Sequence, residues 1–179
     1  IAVAPSNSDV LYLGSGEGNN SRSSYWGNGV YKSTDAGETW TNVGLPESHH
    51  FGRIVVHPTN ENVVYAAALG PLYSANGQRG LYRSTNGGRS WDQVLAPEVE
   101  GRTIGVVDVA MDPRNPNTLY AASYDKVRLP FTFDLGGPGS RLYKTTDGGD
   151  NWIQIRACPR ACWAASAWTS GSRTRTCST

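Results

Sequence analysis

The chain has 179 residues, which is the size of about one ordinary domain. Its 16 basic and 15 acidic residues nearly cancel, and no apolar run approaches the roughly 18 residues of a transmembrane helix, so the composition predicts neither a nucleic-acid partner nor a membrane span. The 21 glycines, 10 prolines and six tryptophans are typical of an all-β protein with many turns.

The first regular feature along the chain is a proline that opens a turn and is followed seven residues later by a tyrosine in an apolar strand pattern. The element occurs three times, as the pairs Pro5 and Tyr12, Pro58 and Tyr65, and Pro113 and Tyr120. The prolines are separated by 53 and 55 residues. A period near 50 residues that contains only short strands predicts the blades of a β-propeller.

A turn motif of eight residues also occurs three times, out of phase with the first element, at residues 33–40, 84–91 and 145–152. Its Asp or Asn can bond nearby backbone N–H groups, its Gly allows a positive φ, and its Trp packs the turn onto the next strand. The motif therefore predicts a hairpin turn with a structural role. The defining residues are Ser33, Asp35, Gly37, Trp40, Ser84, Asn86, Gly88, Trp91, Thr145, Asp147, Gly149 and Trp152.

This pattern, S/T-x-D/N-x-G-x-S/T/N-W, resembles the Asp-box, or BNR repeat, of β-propeller proteins such as sialidases, xyloglucan-degrading hydrolases and sortilin-type receptors. The resemblance covers residues 1–156 and is closest to bacterial sortilin-like or glycosyl-hydrolase-like repeat proteins. It implies that the Asp-box is structural and lies away from the functional face. It also suggests a secreted, periplasmic or cell-surface protein, although the compartment itself is unknown.

Each repeat is predicted to contain four strands, A to D, with the Asp-box as the C–D turn. The strands divide the chain into a partial blade at residues 1–43, which lacks most of strand A, and two fuller blades at residues 44–95 and 96–156. Three blades cannot close a ring, because propellers have at least four. The sequence therefore predicts an all-β fragment of a larger propeller, whose missing blades are its partners.

The B–C loops are long, at residues 14–28, 70–79 and 124–140, and they are predicted to share the face opposite the Asp-boxes. Long irregular loops in a compact β domain often carry binding or catalysis. Exposed aromatic rings beside Asn, Asp and Arg can stack on sugars or anchor a peptide. The alternative is that the rings only pack their own loops. The candidate binding residues are Asn20, Arg22, Tyr25, Trp26, Tyr73, Arg79, Arg128, Phe131, Phe133 and Asp134.

Four other polar residues are interpreted as structural, and the sequence predicts neither a metal site nor a cofactor. His49 and His50 are adjacent, but neighbouring residues rarely point at one ion and no Cys or carboxylate cluster completes a set. Arg53 starts a strand and is expected to pair or cap locally. Asp108 lies in an apolar strand and is expected to be a hydrogen-bonded carboxylate in the core.

The functional prediction is a non-catalytic module that binds a glycan or a peptide within a larger extracytoplasmic protein. The alternative is a fragment of a sialidase- or xyloglucanase-like glycoside hydrolase, and a third possibility is a scaffold that only presents partners. A hydrolase needs two placed carboxylates, and no spacing in the sequence selects a pair. The candidates are Glu17, Asp108, Asp125 and Asp134.

The composition changes at residue 157, and residues 157–179 contain all three cysteines and a Ser/Thr/Arg mixture without a strand period. One interpretation is an irregular linker. The other is a frameshifted reading of the next blade. In the shifted frame the codons of Trp163 and Trp168 encode Gly and Asp, which have the same spacing of five as Gly52 and His57 in the second blade.

Overall fold

The computed structural model describes residues 1–19, 21–74 and 77–155. These residues form three antiparallel sheets of four strands each. The predicted all-β fold class, a β-propeller fragment of about three four-stranded blades, is confirmed. The tail at residues 157–179, with its frameshift hypothesis, lies outside the described residues.

The strands follow one another along the chain in the order A, B, C, D within each blade. The first blade contains β1 (Ala2–Ala4), β2 (Asn7–Gly14), β3 (Val30–Ser33) and β4 (Thr41–Gly44). The second contains β5 (Phe51–His57), β6 (Asn60–Ala68), β7 (Gly80–Ser84) and β8 (Asp92–Leu95). A short hairpin of β9 (Glu98–Val99) and β10 (Arg102–Thr103) follows. The third contains β11 (Gly105–Asp112), β12 (Asn115–Tyr124), β15 (Leu142–Thr145) and β16 (Ile153–Ile155), with a second hairpin of β13 (Lys126–Arg128) and β14 (Phe133–Leu135) between β12 and β15.

Two apolar layers hold adjacent blades together, because alternate residues of a strand point to opposite faces of its sheet. In β6, Val64 and Ala66 belong to the layer against the first blade, whereas Tyr65 and Ala67 belong to the layer against the third. All four of these residues are buried. The middle blade is therefore covered on both faces, which explains its continuous apolar run.

In the first two blades, the tyrosine of the Pro-to-Tyr element also binds the blade to the next one. Tyr12 Oη donates to the carbonyl oxygen of Glu61 at 2.9 Å, and Tyr65 Oη donates to the carbonyl oxygen of Gly148 at 2.7 Å. A buried hydroxyl needs such a partner, because leaving it unpaired costs about 1–3 kcal/mol. Tyr12 and Tyr65 are thus contacts between blades as well as strand residues.

The Asp-boxes form the turns between strands C and D, as predicted, and each is held by the same hydrogen bonds. In the first box, Ser33 Oγ donates to Asp35 Oδ1 at 2.6 Å and accepts from the Gly37 N–H at 2.9 Å. Asp35 also accepts the backbone N–H of Thr39 at 2.9 Å. The other two boxes repeat these bonds, with Asn86 in place of the Asp in the second. The side chains thereby satisfy the backbone of the turn.

The tryptophans of the three boxes do not behave alike. Trp40 and Trp152 donate their indole N–H to the glycine carbonyl of their own box, at 3.0 Å in each case. Trp91 instead donates to the carbonyl oxygen of Val43 in the first blade, at 2.8 Å. The second box therefore adds a contact between blades that its sequence does not distinguish from the others.

The Asp-box carboxylates are expected to make part of the stability dependent on pH. Hydrogen bonds from Ser33 and then from Thr39 lower the pKa of Asp35 to about 2, from an ordinary value of 3.8, and the pKa of Asp147 is lowered for the same kind of reason. A carboxyl whose pKa is depressed by folding contributes stability that is present above its ordinary pKa and is lost as the pH falls towards the folded value.

The double variant Asp35→Asn, Asp147→Asn copies the second box, where Asn86 makes the same bonds. We expect its melting temperature to fall less than that of the wild type between pH 5 and pH 2.5, because it has lost the two titrating groups. Thermal unfolding followed by circular dichroism measures the difference. An equal fall in melting temperature for the two proteins over this pH range would show that Asp35 and Asp147 do not cause the loss of stability in acid.

The ends of the sheets separate the Asp-boxes from the long loops. In each blade a backbone N–H of the box donates to a carbonyl near the A–B turn, from Ala36 to Asp9, from Gly87 to Asn62 and from Gly148 to Asn117, each at 2.9 Å. The A–B and C–D turns thus share one end of each blade. The B–C loops emerge at the other end, together with the connections between blades, and we call that end the long-loop face.

Candidate functional site

A cavity of about 550 Å³ opens on the long-loop face between the first and second blades. It is built from the B–C loops of both blades and from the connection between them. We call it the loop cavity. Its lining residues are Arg22, Ser23, Ser24, Tyr25, Trp26, His49, His50, Pro71, Leu72, Tyr73 and Ser74.

Hydrogen bonds to backbone carbonyl oxygens hold the walls of the loop cavity in place. The Gly27 N–H donates to the carbonyl oxygen of His49 at 2.8 Å, which joins the first long loop to the connection between the blades. Tyr73 Oη donates to the carbonyl oxygen of Arg22 at 2.9 Å, which joins the two B–C loops. Gly16 passes so close to His49 that an added Cβ would lie 2.0 Å from its carbonyl oxygen. The three segments are therefore assembled as one unit.

Three aromatic rings of the loop cavity remain accessible. Tyr25 is 77% exposed, Trp26 is 75% exposed and Tyr73 is 48% exposed. Rings that only packed their own loops would be covered, so these exposures leave their faces available to a ligand. Flat apolar faces beside polar groups can stack on sugar rings.

His50 supplies a polar group at the buried side of the same cavity. The residue is only 2% exposed. Its Nδ1 atom is buried and has no hydrogen-bond partner in the described part of the chain. Burial, and then the charge of Lys126, lowers the pKa of His50 below its ordinary value of 6.5, so the ring is neutral at pH 7. A neutral imidazole nitrogen that lacks a partner can bond a ligand hydroxyl.

His50 is not among the binding residues predicted from the sequence, which interprets the His49–His50 pair as structural. The imidazole lies in the wall of the loop cavity because the fold brings the connection between the blades next to the two B–C loops. No local pattern in the sequence indicates that position. Among the described residues no group of three His, Cys, Asp or Glu side chains is arranged to hold a metal ion.

A second, smaller cavity of about 190 Å³ lies between the B–C loops of the second and third blades, and we call it the basic cavity. Leu72, Tyr73 and Ser74 line both cavities, so the two are neighbours on the same face. Its other lining residues are Arg79, Arg102, Lys126, Val127, Arg128 and Leu129.

The candidate Arg79 faces the basic cavity, but its guanidinium is largely engaged by its own loop. Nη1 donates to the carbonyl oxygen of Leu69 at 2.7 Å, and Nη2 donates to those of Pro71, at 2.6 Å, and Ser74. Arg79 is 7% exposed, and burial, followed by the charge of Arg102, lowers its pKa. It therefore organises the second long loop.

The remaining candidates do not converge on the loop cavity. Arg128 lies over the ring of Phe133, 4.3 Å from its centroid, and lines the basic cavity. Phe131 is 83% exposed and Asp134 is exposed on β14, and neither lines the two cavities. Asn20 lies outside the described residues. The structure thus brings together Arg22, Tyr25, Trp26 and Tyr73 in one cavity.

The expectation that Asp108 is a core carboxylate is wrong. Its side chain is 53% exposed and forms an ion pair with Arg53, with 2.8 Å between Oδ1 and Nε. The register of β11 shifts between Val106 and Asp108, so the bulge turns this side chain out of the apolar layer. Arg53 does pair, but across the junction between the second and third blades.

None of the four candidate carboxylates lines the loop cavity. Asp125 is 2% exposed, and its oxygens contact Arg102 Nη2 at 3.4 Å and the Gly139 N–H at 3.0 Å. Glu17 and Asp134 are exposed on separate loops. The described geometry therefore gives these loops a binding surface and does not assign a pair of catalytic carboxylates.

Comparison with known proteins identifies relatives of this chain. The model of the family Sortilin-Vps10, described as sortilin, neurotensin receptor 3, matches residues 28–179. A probable oligoxyloglucan-reducing end-specific xyloglucanase of Neosartorya fischeri is 28% identical over 168 residues, and a xyloglucanase of Acetivibrio thermocellus is 27% identical over 186 residues. Each alignment covers 89% of this chain, which spans 18% and 20% of those two relatives.

A solved structure of an ancestral GH74 enzyme has the same fold, with a TM-score of 0.60 and 26% identity. The match covers 86% of this chain and 17% of that enzyme. Among the described residues no helix is long and apolar enough to cross a membrane. The expectation of a non-catalytic binding module is wrong, because the relatives carry the names of glycoside hydrolases, and the hydrolase alternative is favoured instead.

Proposed function

The chain belongs to the Sortilin-Vps10 family, and on that premise we propose that it is part of a glycoside hydrolase that acts on xyloglucan. The observation that carries the proposal is the similarity to xyloglucanases along 89% of the chain. The chain spans about a fifth of the length of those relatives. An extracytoplasmic location is part of the same proposal.

In this proposal the loop cavity holds the glucan chain of the substrate. Three accessible rings, Tyr25, Trp26 and Tyr73, offer stacking surfaces, and His50 Nδ1 offers a hydrogen bond to a hydroxyl. The hydrogen bond from Tyr73 Oη to the carbonyl oxygen of Arg22 holds the ring of Tyr73 against the first long loop, which carries Tyr25 and Trp26. A preorganised aromatic cleft suits a rigid polysaccharide, because little entropy is lost on the protein side.

The variant Trp26→Ala is expected to weaken the binding of a xyloglucan oligosaccharide about tenfold, since one lost aromatic contact corresponds to about 1.4 kcal/mol. Isothermal titration calorimetry measures the affinity. Phe131→Ala is the matched control, because Phe131 is exposed to a similar extent but does not line the loop cavity. Equal losses in both variants would place the ligand elsewhere.

The choice of substrate is tested by comparing xyloglucan oligosaccharides with unbranched β-1,4-glucan oligosaccharides of the same backbone length. Release of reducing ends is followed in parallel with binding. The proposal expects tighter binding of the branched ligand and any hydrolysis to be confined to it. Equal binding of both ligands, or no binding of either, would reject xyloglucan as the substrate.

A further inference from the structure

The basic cavity concentrates positive charge in a small space. Four cationic side chains line a volume of about 190 Å³ between the loops of the second and third blades: Arg79, Arg102, Lys126 and Arg128. An ion pair joins Arg102 Nη2 of this group to Asp125 Oδ1 at 3.4 Å. Four positive charges are thus brought together around one small cavity, beside the buried carboxylate of Asp125.

Arg79 and Arg128 contact uncharged groups at this cavity. Arg79 donates to three backbone carbonyl oxygens, which carry no formal charge, and its Nε is buried without a partner. Arg128 stacks on Phe133, and its Nε is also buried without a partner. Both guanidinium groups therefore keep their positive charge at the cavity, and each has one buried N–H donor without an acceptor in the described part of the chain.

The cations also destabilise one another. Burial, then the charges of Arg79 and Arg128, lowers the pKa of Lys126 to about 8. Repulsion between like charges is stronger in a partly buried site than in water, because the effective dielectric constant is lower. A bound anion would relieve this repulsion, so the site favours negative ligands.

The geometry points to a binding site for the carboxylate of an acidic sugar in the basic cavity, on a glycan that also occupies the loop cavity. Guanidinium groups bind carboxylates through paired, charge-assisted hydrogen bonds. The volume equals that of about six water molecules at roughly 30 Å³ each, which suits one substituted ring. Tyr73 lines both cavities, so one glycan can reach both.

This inference rests on the proposed function for the presence of a glycan, while the anion site itself rests on the four cations. It adds a preference for acidic substituents that the names of the relatives do not contain. A ligand with an acidic branch would place its neutral backbone against the rings of the loop cavity and its carboxylate among the arginines.

The test uses a trisaccharide of galacturonic acid, the neutral trisaccharide of galactose with the same linkages, and inorganic phosphate, each titrated calorimetrically at low and at physiological salt. We expect the acidic trisaccharide to bind at least tenfold more tightly than the neutral one, and more weakly as salt rises. Equal affinities for the two trisaccharides would overturn the inference. Phosphate binding as tight as that of the acidic trisaccharide would overturn the assignment to an acidic sugar.

The variant Arg128→Gln is expected to lower the affinity for the acidic trisaccharide at least tenfold, and Lys126→Gln provides a second variant should the first fold poorly. Arg89→Gln is the matched control, because Arg89 is an exposed cation beside the Asp-boxes. Unchanged affinity in both cavity variants, with melting temperatures near that of the wild type, would overturn the inference.

Neutral xyloglucan oligosaccharides, titrated in the same series, separate this inference from the proposed function. Binding of the acidic trisaccharide that is lost in Arg128→Gln, without any binding of xyloglucan oligosaccharides, would reject the proposed substrate and support the anion site. Binding of xyloglucan oligosaccharides, together with equal affinities for the acidic and the neutral trisaccharide, would support the proposed function and reject the anion site.

Discussion

Replacing Gly52 by alanine is expected to destabilise the chain by roughly 3 kcal/mol, the upper part of the range for overpacking in a rigid environment. A Cβ at this position would lie 1.8 Å from the carbonyl oxygen of Val107 and 2.6 Å from its carbonyl carbon. Val107 belongs to β11, strand A of the next blade, where it lies at a bulge between Val106 and Asp108, both of which pair with β12. The junction between the second and third blades must therefore open to admit the methyl group.

The matched control is Gly101→Ala. A Cβ at Gly101 meets nothing within 4 Å, but the φ of 73° carries the ordinary cost of a left-handed residue, about 1 kcal/mol. Urea unfolding at neutral pH measures both variants. A loss in Gly52→Ala no larger than that in Gly101→Ala would show that the blades approach each other less closely than the structure describes.

The second large effect is expected for Arg79→Met. The substitution keeps an unbranched apolar stem but leaves the carbonyl oxygens of Leu69, Pro71 and Ser74 without their donor. Hydrogen bonds from a charged donor contribute about 1.5–3 kcal/mol each, and removal of a partly uncompensated buried charge offsets some of this loss. We expect a net loss of about 3 kcal/mol.

The same variant should also release the second long loop and with it the ring of Tyr73. Amide hydrogen exchange is expected to accelerate over residues 69–79, and the affinity for xyloglucan oligosaccharides to fall. Arg79→Lys retains the charge but replaces the planar fork by a single ammonium group, so its exchange rates should lie between those of the other two proteins. Wild-type exchange rates in Arg79→Met would refute the proposed role of Arg79.

The fold could be predicted because each repeat contains short sequence motifs that determine its turns and strands. The Pro-to-Tyr element and the Asp-box recur with a period that fixes where strands A to D begin and turn. The backbone bonds that join each Asp-box to the A–B turn of its blade then place the long loops together on the opposite face. The hairpins β9–β10 and β13–β14 have no counterpart in the repeat, so its period does not predict them.

The candidate site was predictable only where its residues share one loop. Trp26 and Tyr25 are neighbours in a long loop, and their exposure follows from that position. His50 and the four cations of the basic cavity come from different blades and from the connections between them, so only the three-dimensional packing brings them together. No spacing along the chain encodes such a convergence.

The functional prediction failed for a related reason. Asp-box repeats determine the packing of blades, and residues that satisfy backbone groups carry no information about a substrate. Long loops on one face without a recognisable pair of carboxylates favour a binding module. Similarity to xyloglucanases supports a different conclusion, because a part of an enzyme can contribute binding loops without contributing the groups that cleave the bond.

We propose that the loop cavity holds the glucan chain of xyloglucan, and a crystal structure of the chain in complex with a xyloglucan oligosaccharide would show where the sugar rings lie. We expect glucose rings against Trp26 and Tyr73, with a sugar hydroxyl within hydrogen-bond distance of His50 Nδ1. Sugar density at the Asp-box end of the blades, with an empty loop cavity at a saturating concentration of ligand, would contradict it.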